Sequence, residues 1–267
     1  MHYDPIKHSL GNIFNKSHFL RKMFYRLLDL LLLRSWHIHK EIKKWNVPQK
    51  QQADILDAGA GFGQYTYYLH CFNRSWNILA VDVKEEQVSD SNKFFRAIGA
   101  RNVLFQTADL TAFKKENSFD LALSVDVMEH ILEDVLVFKN ICASLKKGGM
   151  LLISTPSDQG GSDVHDGGTS FIGEHVRDGY NIQAIEEKLL SAGFSRVEAR
   201  YSYGAPGKIS WQISMKYPIL LLGFSKMFFI LLPFYYLIAF PISCILNYFD
   251  TKMFHAAGTG LIVKARK

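Results

Sequence analysis

Residues 53–265 alternate short apolar runs with amphipathic stretches, and glycine or proline marks nearly every boundary. The apolar runs predict strands at 53–57, 76–82, 102–106, 119–124, 150–154, 196–203 and 260–265. The amphipathic stretches predict helices at 65–71, 85–98, 135–145 and 181–191. Strands that alternate with helices are typical of βαβ units, so the pattern predicts a mostly parallel sheet.

Two other segments are unusually apolar. In residues 18–45, apolar side chains recur at three- and four-residue spacing from Leu20 to Leu31, which predicts one amphipathic helix. Residues 227–249 contain no charged side chain. This run is long enough to span a bilayer core of roughly 30 Å, although Pro233 and Pro241 interrupt it.

Composition narrows the class of protein. The 267 residues are 48% hydrophobic and 21% charged, which is typical of a globular chain of one enlarged domain. The net charge of +6 is dispersed rather than clustered, which argues against a nucleic-acid surface. Three scattered cysteines predict neither a disulfide framework nor a zinc site, and they favour the reducing cytoplasm. No signal peptide is predicted.

A glycine-rich turn, ILDAGAGFG, follows the first predicted strand and opens a helix. Glycines let a backbone approach a ligand, and the helix N-terminus offers free N–H groups. The spacing is G-x-G-x-G, so the third glycine, Gly63, comes one residue earlier than in the dinucleotide fingerprint. Asp57 precedes Gly59 by two residues, where a carboxylate can accept a ligand's ammonium group.

Three further acids follow successive strands. Asp82 ends the second strand, where a carboxylate can accept hydrogen bonds from both hydroxyls of a ribose. Asp109 follows the third strand and can accept from an adenine amino group, although a turn aspartate is the alternative. The fourth strand leads into Asp126, Glu129 and His130 at the crevice where α/β sheets bind ligands.

Taken together and in order, these motifs resemble the class I S-adenosylmethionine-dependent methyltransferases, especially the small-molecule branch of quinone-biosynthesis and cyclopropane-synthase enzymes. The resemblance covers residues 53–200 and includes LKKGGMLLISTP. It implies S-adenosylmethionine as the cofactor. The residues implied to bind it are Asp57, Gly59, Gly61 and Gly63 around the methionine end, Asp82 on the ribose, Asp109 and Leu110 by the adenine, and Asp126 at the rim.

The resemblance also implies that Glu129 and His130 face the methyl acceptor. We expect His130 to be the general base because a neutral imidazole can act near pH 7; His175 is a further catalytic candidate. The polar segment 155–180 adds substrate-binding candidates, although a capped helix entry with solvated charges is the alternative there. The predicted substrate-binding residues are Tyr65, His165, Arg177 and Tyr180. We expect no resident metal, and a magnesium ion is left open.

The predicted fold is α/β: a Rossmann-like seven-stranded, mostly parallel sheet with helices on both faces and an antiparallel last strand. An N-terminal helix and an apolar helical insertion before the last strand are added to it. The predicted domains are an N-terminal helical extension (1–50), an S-adenosylmethionine-binding domain (51–207 and 258–267) and the apolar insertion (208–257).

The insertion must return to the side from which it starts, because strands six and seven pair in this fold. We expect two short helices divided near Pro233. They form either a re-entrant or interfacial hairpin, with nearby lysines on anionic head groups, or a lid packed on the N-terminal helix. In both cases the acceptor pocket is expected to be apolar.

The leading functional prediction is therefore methyl transfer from S-adenosylmethionine to a hydrophobic small molecule or lipid, in the cytoplasm at the inner face of a membrane. The alternatives are a nicotinamide-dependent oxidoreductase and a non-catalytic, membrane-associated binding protein on the same fold. A nucleic-acid methyltransferase is not expected, because the strand-four region lacks a motif that would hold a flipped base.

Overall fold

The computed structural model describes residues 17–45, 52–160, 176–225 and 227–267. Seven strands form one sheet. They are β1 (Asp54–Ala58), β2 (Asn77–Asp82), β3 (Val103–Thr107), β4 (Phe119–Val125), β5 (Leu145–Pro156), β6 (Arg196–Ser202) and β7 (Gly260–Arg266). The strand order is β3-β2-β1-β4-β5-β7-β6.

All neighbours from β3 to β5 are parallel, and β7 runs antiparallel between β5 and β6. The predicted α/β fold, including its antiparallel last strand, is confirmed. Since β6 points the same way as β5, the sheet has one carboxyl edge at which β1, β2, β4 and β6 all end. Ser202 pairs with Gly260 at that edge, so the chain leaves and re-enters the sheet there.

Helices cover both faces of the sheet. Those of the main domain are α1 (His18–Leu31), α2 (Leu33–Trp45), α3 (Gln64–Phe72), α4 (Glu85–Ala97), α5 (Asp134–Ser144) and α6 (Ile182–Ser191). Alternate side chains of the central strands pack on opposite faces of the sheet. Leu121 and Leu123 pack with α1 to α4, whereas Ala122 of the same strand packs with α5 and α6. The strands are thus apolar on both sides, as a doubly covered parallel sheet requires.

The N-terminal region departs from the prediction. Residues 18–45 form two helices rather than one, because Leu32 adopts an extended conformation with φ −85° and ψ 113°. The break exposes the first backbone N–H groups of α2. The Arg34 N–H donates to the hydroxyl of Tyr203, 3.1 Å away. A side chain from just after β6 therefore accepts a hydrogen bond from one of these N–H groups. Sequence periodicity cannot show such a contact.

Between β6 and β7 the chain forms a two-armed helical insertion. The outgoing arm comprises α7 (Ala205–Trp211), a π-helical turn (Gln212–Lys216) and α8 (Tyr217–Phe224). The returning arm is α9 (Phe228–Lys252), which packs along α7 and the π turn. We call these two arms the apolar hairpin.

The predicted division of the insertion near Pro233 is wrong. Pro233 and Pro241 both lie inside the continuous helix α9, and the chain reverses between α8 and α9, after Ser225. Within the described residues, α9 is the one helix long and apolar enough to cross a membrane by length and composition. Its most apolar stretch has a mean hydropathy of 2.2, with 11% of that stretch buried.

Candidate active site

The glycine turn lies at the carboxyl edge, between β1 and α3. Gly59 has φ +81°, and its N–H donates to Val81 O at 2.9 Å, which fixes the turn against β2. A Cβ at Gly59 would lie 2.3 Å from the Val127 side chain, so only glycine fits below the segment that follows β4. A Cβ at Gly61 would touch only Gln87, at 3.8 Å, so the space above Gly61 is open.

Asp57 is 3% exposed beneath this turn and accepts a hydrogen bond from the Thr66 hydroxyl at 2.5 Å. Burial raises the pKa of its carboxyl to about 7; the Thr66 hydrogen bond lowers that pKa, and nearby Asp82 raises it further. A buried acid without a cationic partner is costly. A ligand ammonium group beside Asp57 would favour its ionised form.

Asp82 is placed to hold both the turn and a ligand. Its Oδ2 accepts from the Gly61 N–H at 2.8 Å, and its Oδ1 accepts from the Lys84 N–H at 2.9 Å. An ionised carboxylate has about four acceptor positions, so each oxygen keeps capacity for one more donor. Two adjacent ribose hydroxyls match that capacity.

Asp109 and Leu110 follow β3 at the same edge. Asp109 is exposed, and its Oδ1 accepts from the Thr111 N–H at 2.8 Å, a contact that lowers the pKa of this carboxyl. Leu110 is 5% exposed in the core beside α5. A groove of about 530 Å³ borders Asp109 on the side of Leu104 and Lys115. None of the glycine turn lines it, so it is not the cofactor crevice.

The sequence interpretation missed Arg34. Its guanidinium forms an ion pair with Asp126, which follows β4 in a left-handed conformation with φ +53°. Arg34 Nε is buried and makes no hydrogen bond. The ion pair closes the crevice between the ends of β1 and β4, directly beside the glycine turn. No motif signals Arg34, because the break before α2 is what brings it here.

Two tyrosines wall the same crevice. The hydroxyl of Tyr65, at the start of α3, lies 3.2 Å from Ser35 Oγ and contacts Arg34. Burial raises the pKa of Tyr65 to about 12, although Arg34 opposes that rise. Burial likewise raises the pKa of Tyr203. Both hydroxyls therefore stay protonated at neutral pH and can donate to a ligand.

Glu129 and His130 form a short 3₁₀ turn after β4 but face different surroundings. Glu129 is 1% exposed, and its Oε2 accepts from the Thr155 hydroxyl at 3.1 Å. Burial, and then the charge of Asp126, raise the pKa of Glu129 to about 8. His130 is exposed. The structure thus joins Glu129 to Asp126 and Arg34, and it leaves His130 at the rim.

Arg177 and Tyr180 are tied to α5. The Tyr180 hydroxyl donates to Asp134 at 2.7 Å, and Arg177 also pairs with Asp134. Arg177 further donates to Ile131 O at 2.7 Å. These contacts fix the chain before α6 to the turn that carries Glu129, and they occupy the polar atoms predicted to reach substrate. Their substrate role stays a prediction.

The other two acceptor-side candidates, His165 and His175, lie outside the described residues. Their predicted roles stay predictions.

The N-terminal helices close the outer side of the turn. Phe62 O, within the turn, accepts from the Tyr25 hydroxyl at 2.5 Å and from Arg21 at 2.8 Å. Gln64 donates to Asp29 at 2.8 Å. Helix α1 therefore supports the loop, and α2 supplies the cation of the crevice.

The crevice thus combines acids at Asp57, Asp82 and Asp126 with one cation, Arg34. A ligand that carries an ammonium, a carboxylate and a ribose diol matches this set of charges and acceptors. That is the chemistry of an adenosyl amino acid, such as S-adenosylmethionine.

Comparison with known proteins agrees with this geometry. The family profile described as "Methyltransferase domain" matches residues 49–190. Phosphoethanolamine N-methyltransferase 1 of Arabidopsis thaliana is 29% identical over 167 residues, which cover 59% of this chain and 31% of the plant protein. The chain thus spans about a third of the length of the curated relatives it matches.

Solved structures show the same fold. Phosphoethanolamine N-methyltransferase 2 of Haemonchus contortus, in complex with phosphomonomethylethanolamine and S-adenosylhomocysteine, has a TM-score of 0.61 and 20% identity. The match covers 87% of this chain and 52% of the nematode chain. A second structure of that enzyme, in complex with S-adenosyl-L-methionine, has a TM-score of 0.59, 20% identity and the same coverage.

Proposed function

Because this chain belongs to the class I S-adenosylmethionine-dependent methyltransferases, we propose that it methylates an amino group on a hydrophobic small molecule or lipid at a membrane surface. Family membership rests on a profile match over more than half of the chain. The chain is therefore an enzyme that transfers a methyl group from S-adenosylmethionine to a small molecule. This decides against the oxidoreductase and the non-catalytic binding protein.

The residues of the crevice fit the cofactor. The open space above Gly61 adjoins the spare acceptor positions of Asp82, which suit the ribose. Asp57 suits the ammonium group. We assign the guanidinium of Arg34 to the carboxylate, because a guanidinium binds carboxylates with several donors at once and 34% of this side chain is exposed.

An amine acceptor is supported by the acids on the acceptor side. Asp126 and Glu129 lie together at the end of β4, where the charge of Asp126 would attract a protonated amine and Glu129 lies beside it. The relatives named phosphoethanolamine N-methyltransferases methylate nitrogen, according to their names. The apolar part of the acceptor is supported by the apolar hairpin, which begins just after Tyr203 at the same edge.

S-adenosylmethionine, when bound, supplies a methyl group already activated on a sulfonium. The chain must align the acceptor and exclude water. An amine reacts through its lone pair, so it must shed a proton to the surroundings. Asp126 can hold the amine through an N–H hydrogen bond. Glu129, with its pKa near 8, is matched to receiving a proton near neutral pH, and His130 at the rim stays the alternative base.

The test is transfer of a radioactive methyl group from S-adenosylmethionine to a panel of acceptors. The panel comprises phosphoethanolamine, an aminophospholipid in vesicles, a long-chain primary amine and a phenol of similar length. We expect label on the lipid and the long-chain amine, and at least tenfold less on phosphoethanolamine. Label on the phenol alone would overturn the amine assignment.

Two variants separate the candidate bases. Glu129→Gln should lower kcat and remove the rise of kcat through pH 8, whereas His130→Gln should leave that limb in place. The reverse pattern would assign the base to His130.

A further inference from the structure

The apolar hairpin has an inverted distribution of polar and apolar side chains. The side of α9 that packs inward is mostly polar; its buried residues are Ala239, Ser243, Asn247, Asp250 and Thr251. The side that faces outward is apolar until Lys252. Its exposed large residues include Phe229, Ile230, Leu231, Phe234, Leu237, Ile238, Ile242, Ile245, Tyr248 and Phe249. A helix in water shows the opposite pattern.

The polar groups of the hairpin meet in the seam between its two arms. The Ser210 hydroxyl donates to Asn247 Oδ1 at 2.6 Å. The hydroxyls of Tyr235 and Tyr236 donate to the carbonyls of Ile213 and Ser214 at 2.6 and 2.7 Å. The π turn disturbs the regular helical pairing there, and the tyrosines satisfy two of its carbonyls. Such internal pairing is what a lipid environment demands of a backbone.

The charges of the hairpin favour an anionic surface. Residues 205–254 contain four lysines and a single acid, Asp250. Asp250 is fully buried, so it presents no negative charge to solvent. Lys208 and Lys252 are exposed near the root of the two arms. Lysines beside an apolar surface can contact phosphate groups of lipids while the apolar side chains enter the hydrocarbon.

The root of the hairpin is held firmly to the main domain. Asp250 accepts from the Tyr203 N–H at 3.2 Å and from the Gly207 N–H at 3.0 Å, and it pairs with His37 of α2 at 2.8 Å. Both arms therefore start at the carboxyl edge of the sheet, beside the crevice. Asp250 thereby ties the returning arm to the end of β6, to the outgoing arm and to α2.

From these observations we propose that the outward face of the apolar hairpin enters one leaflet of a lipid bilayer and returns, so that the crevice is held at the membrane surface. The partner is the anionic lipid bilayer itself. The proposal names the surface that would bind the membrane. It rests on the proposed function only in the purpose of that binding, which is to bring a lipid-soluble acceptor to the crevice. The paired ends at Ser202 and Gly260 require the hairpin to return to its starting side.

The test is flotation of the purified 267-residue chain with two kinds of vesicle, phosphatidylcholine alone and phosphatidylcholine with 30% phosphatidylglycerol. Leu237 is 72% exposed on α9, and Leu190 is 51% exposed on α6. Leu237→Glu places a charge in the proposed lipid contact, whereas Leu190→Glu places the same charge on the main domain. Both positions are exposed, so both variants should fold.

We expect the unaltered protein to float with both vesicles, and more strongly with the anionic ones. Leu237→Glu should lower the bound-to-free ratio at least tenfold, because a carboxylate is costly in hydrocarbon. Leu190→Glu should change that ratio less than twofold. Equal loss in the two variants, or no flotation of the unaltered protein, would overturn the proposal. So would an oligomer in solution that Leu237→Glu dissociates, since the face would then bind a second copy.

Titration with S-adenosylhomocysteine distinguishes failure of the membrane proposal from failure of the proposed methyl transfer. Loss of flotation with intact ligand binding would remove the membrane contact alone. Absence of ligand binding in a folded, floating protein would remove the methyl-transfer proposal and leave the membrane contact.

Discussion

Asp82 offers the sharpest perturbation of the cofactor site. Asp82→Asn keeps the size of the side chain but replaces one carboxylate oxygen by an amide nitrogen that cannot accept. The Gly61 and Lys84 N–H groups each require an acceptor oxygen from residue 82. The amide can serve only one of them, and a ribose hydroxyl must compete for that same oxygen.

The expected loss follows from hydrogen-bond energies. A hydrogen bond to a charged acceptor contributes about 1.5–3 kcal/mol, so loss of one such bond to the ligand should cost about 2 kcal/mol. At about 1.4 kcal/mol for each factor of ten, the dissociation constant should rise about 30-fold. Calorimetric titration should show this rise for S-adenosylhomocysteine. It should show a similar rise for methylthioadenosine, which keeps the ribose but lacks the amino-acid end.

Asp54→Asn is the matched control. Asp54 is also a hydrogen-bonded carboxylate, paired with Lys146 at 2.6 Å, but it starts β1 at the amino edge of the same sheet. Its replacement should leave both affinities unchanged. Asp82 does not hold the ribose if Asp82→Asn binds both ligands as tightly as the unaltered protein, or if the control weakens binding equally.

Three other predictions test neighbouring parts of the site. Arg34→Met should weaken S-adenosylhomocysteine at least tenfold in titration and leave methylthioadenosine within twofold; equal effects would refute the carboxylate assignment. Burial raises the pKa of Glu129 from 4.5 to about 8, so the fold loses stability as pH rises from about 4.5 to about 8 and loses no more above that. In thermal melts, Glu129→Gln should therefore gain about 2 °C or more on the unaltered protein between pH 6 and 9, and a constant difference would contradict this. Gly59→Ala should lose at least about 1 kcal/mol more in urea unfolding than Gly99→Ala, because both glycines have positive φ but only Gly59 is crowded, by Val127.

The sheet could be predicted because its signals are local. Each strand is an apolar run bounded by turn residues, and the observed strands begin within five residues of the predicted positions. The acids Asp57, Asp82 and Asp126 could be placed for the same reason, since the carboxyl ends of parallel strands meet at one edge. The pairing of β1 with β2 and with β4 then brings these three acids close together.

Arg34 could not be predicted because two distant segments bring it to the crevice. Its position depends on the break at Leu32, and a continuous helix would point it elsewhere. At that break the Arg34 backbone N–H donates to the Tyr203 hydroxyl, which is 169 residues away in the chain. Periodicity reports which residues share a helix face, but it does not report where a helix ends when a distant side chain caps it.

The hairpin shows a different limit. Proline is expected to end a helix, which favoured a turn near Pro233. Within α9, Pro233 lies in the first two turns, and both prolines lie on the exposed side of the helix. Each proline lacks an N–H and costs the helix one hydrogen bond, yet the helix continues through both positions. The chain reverses instead after Ser225, whose carbonyl accepts from the Phe228 N–H at 3.1 Å.

Tyr203 links the two halves of the proposed function. Its backbone N–H is held by Asp250 at the root of the hairpin, and its hydroxyl accepts from the Arg34 backbone in the crevice. It also has a left-handed backbone, with φ +56°, a conformation that persists where its surroundings determine it. A hairpin seated in lipid would therefore fix the position of α2, and with it Arg34. An acceptor that enters from the leaflet would meet the crevice at Tyr203 first, at the point where the membrane-facing and cofactor-facing surfaces join.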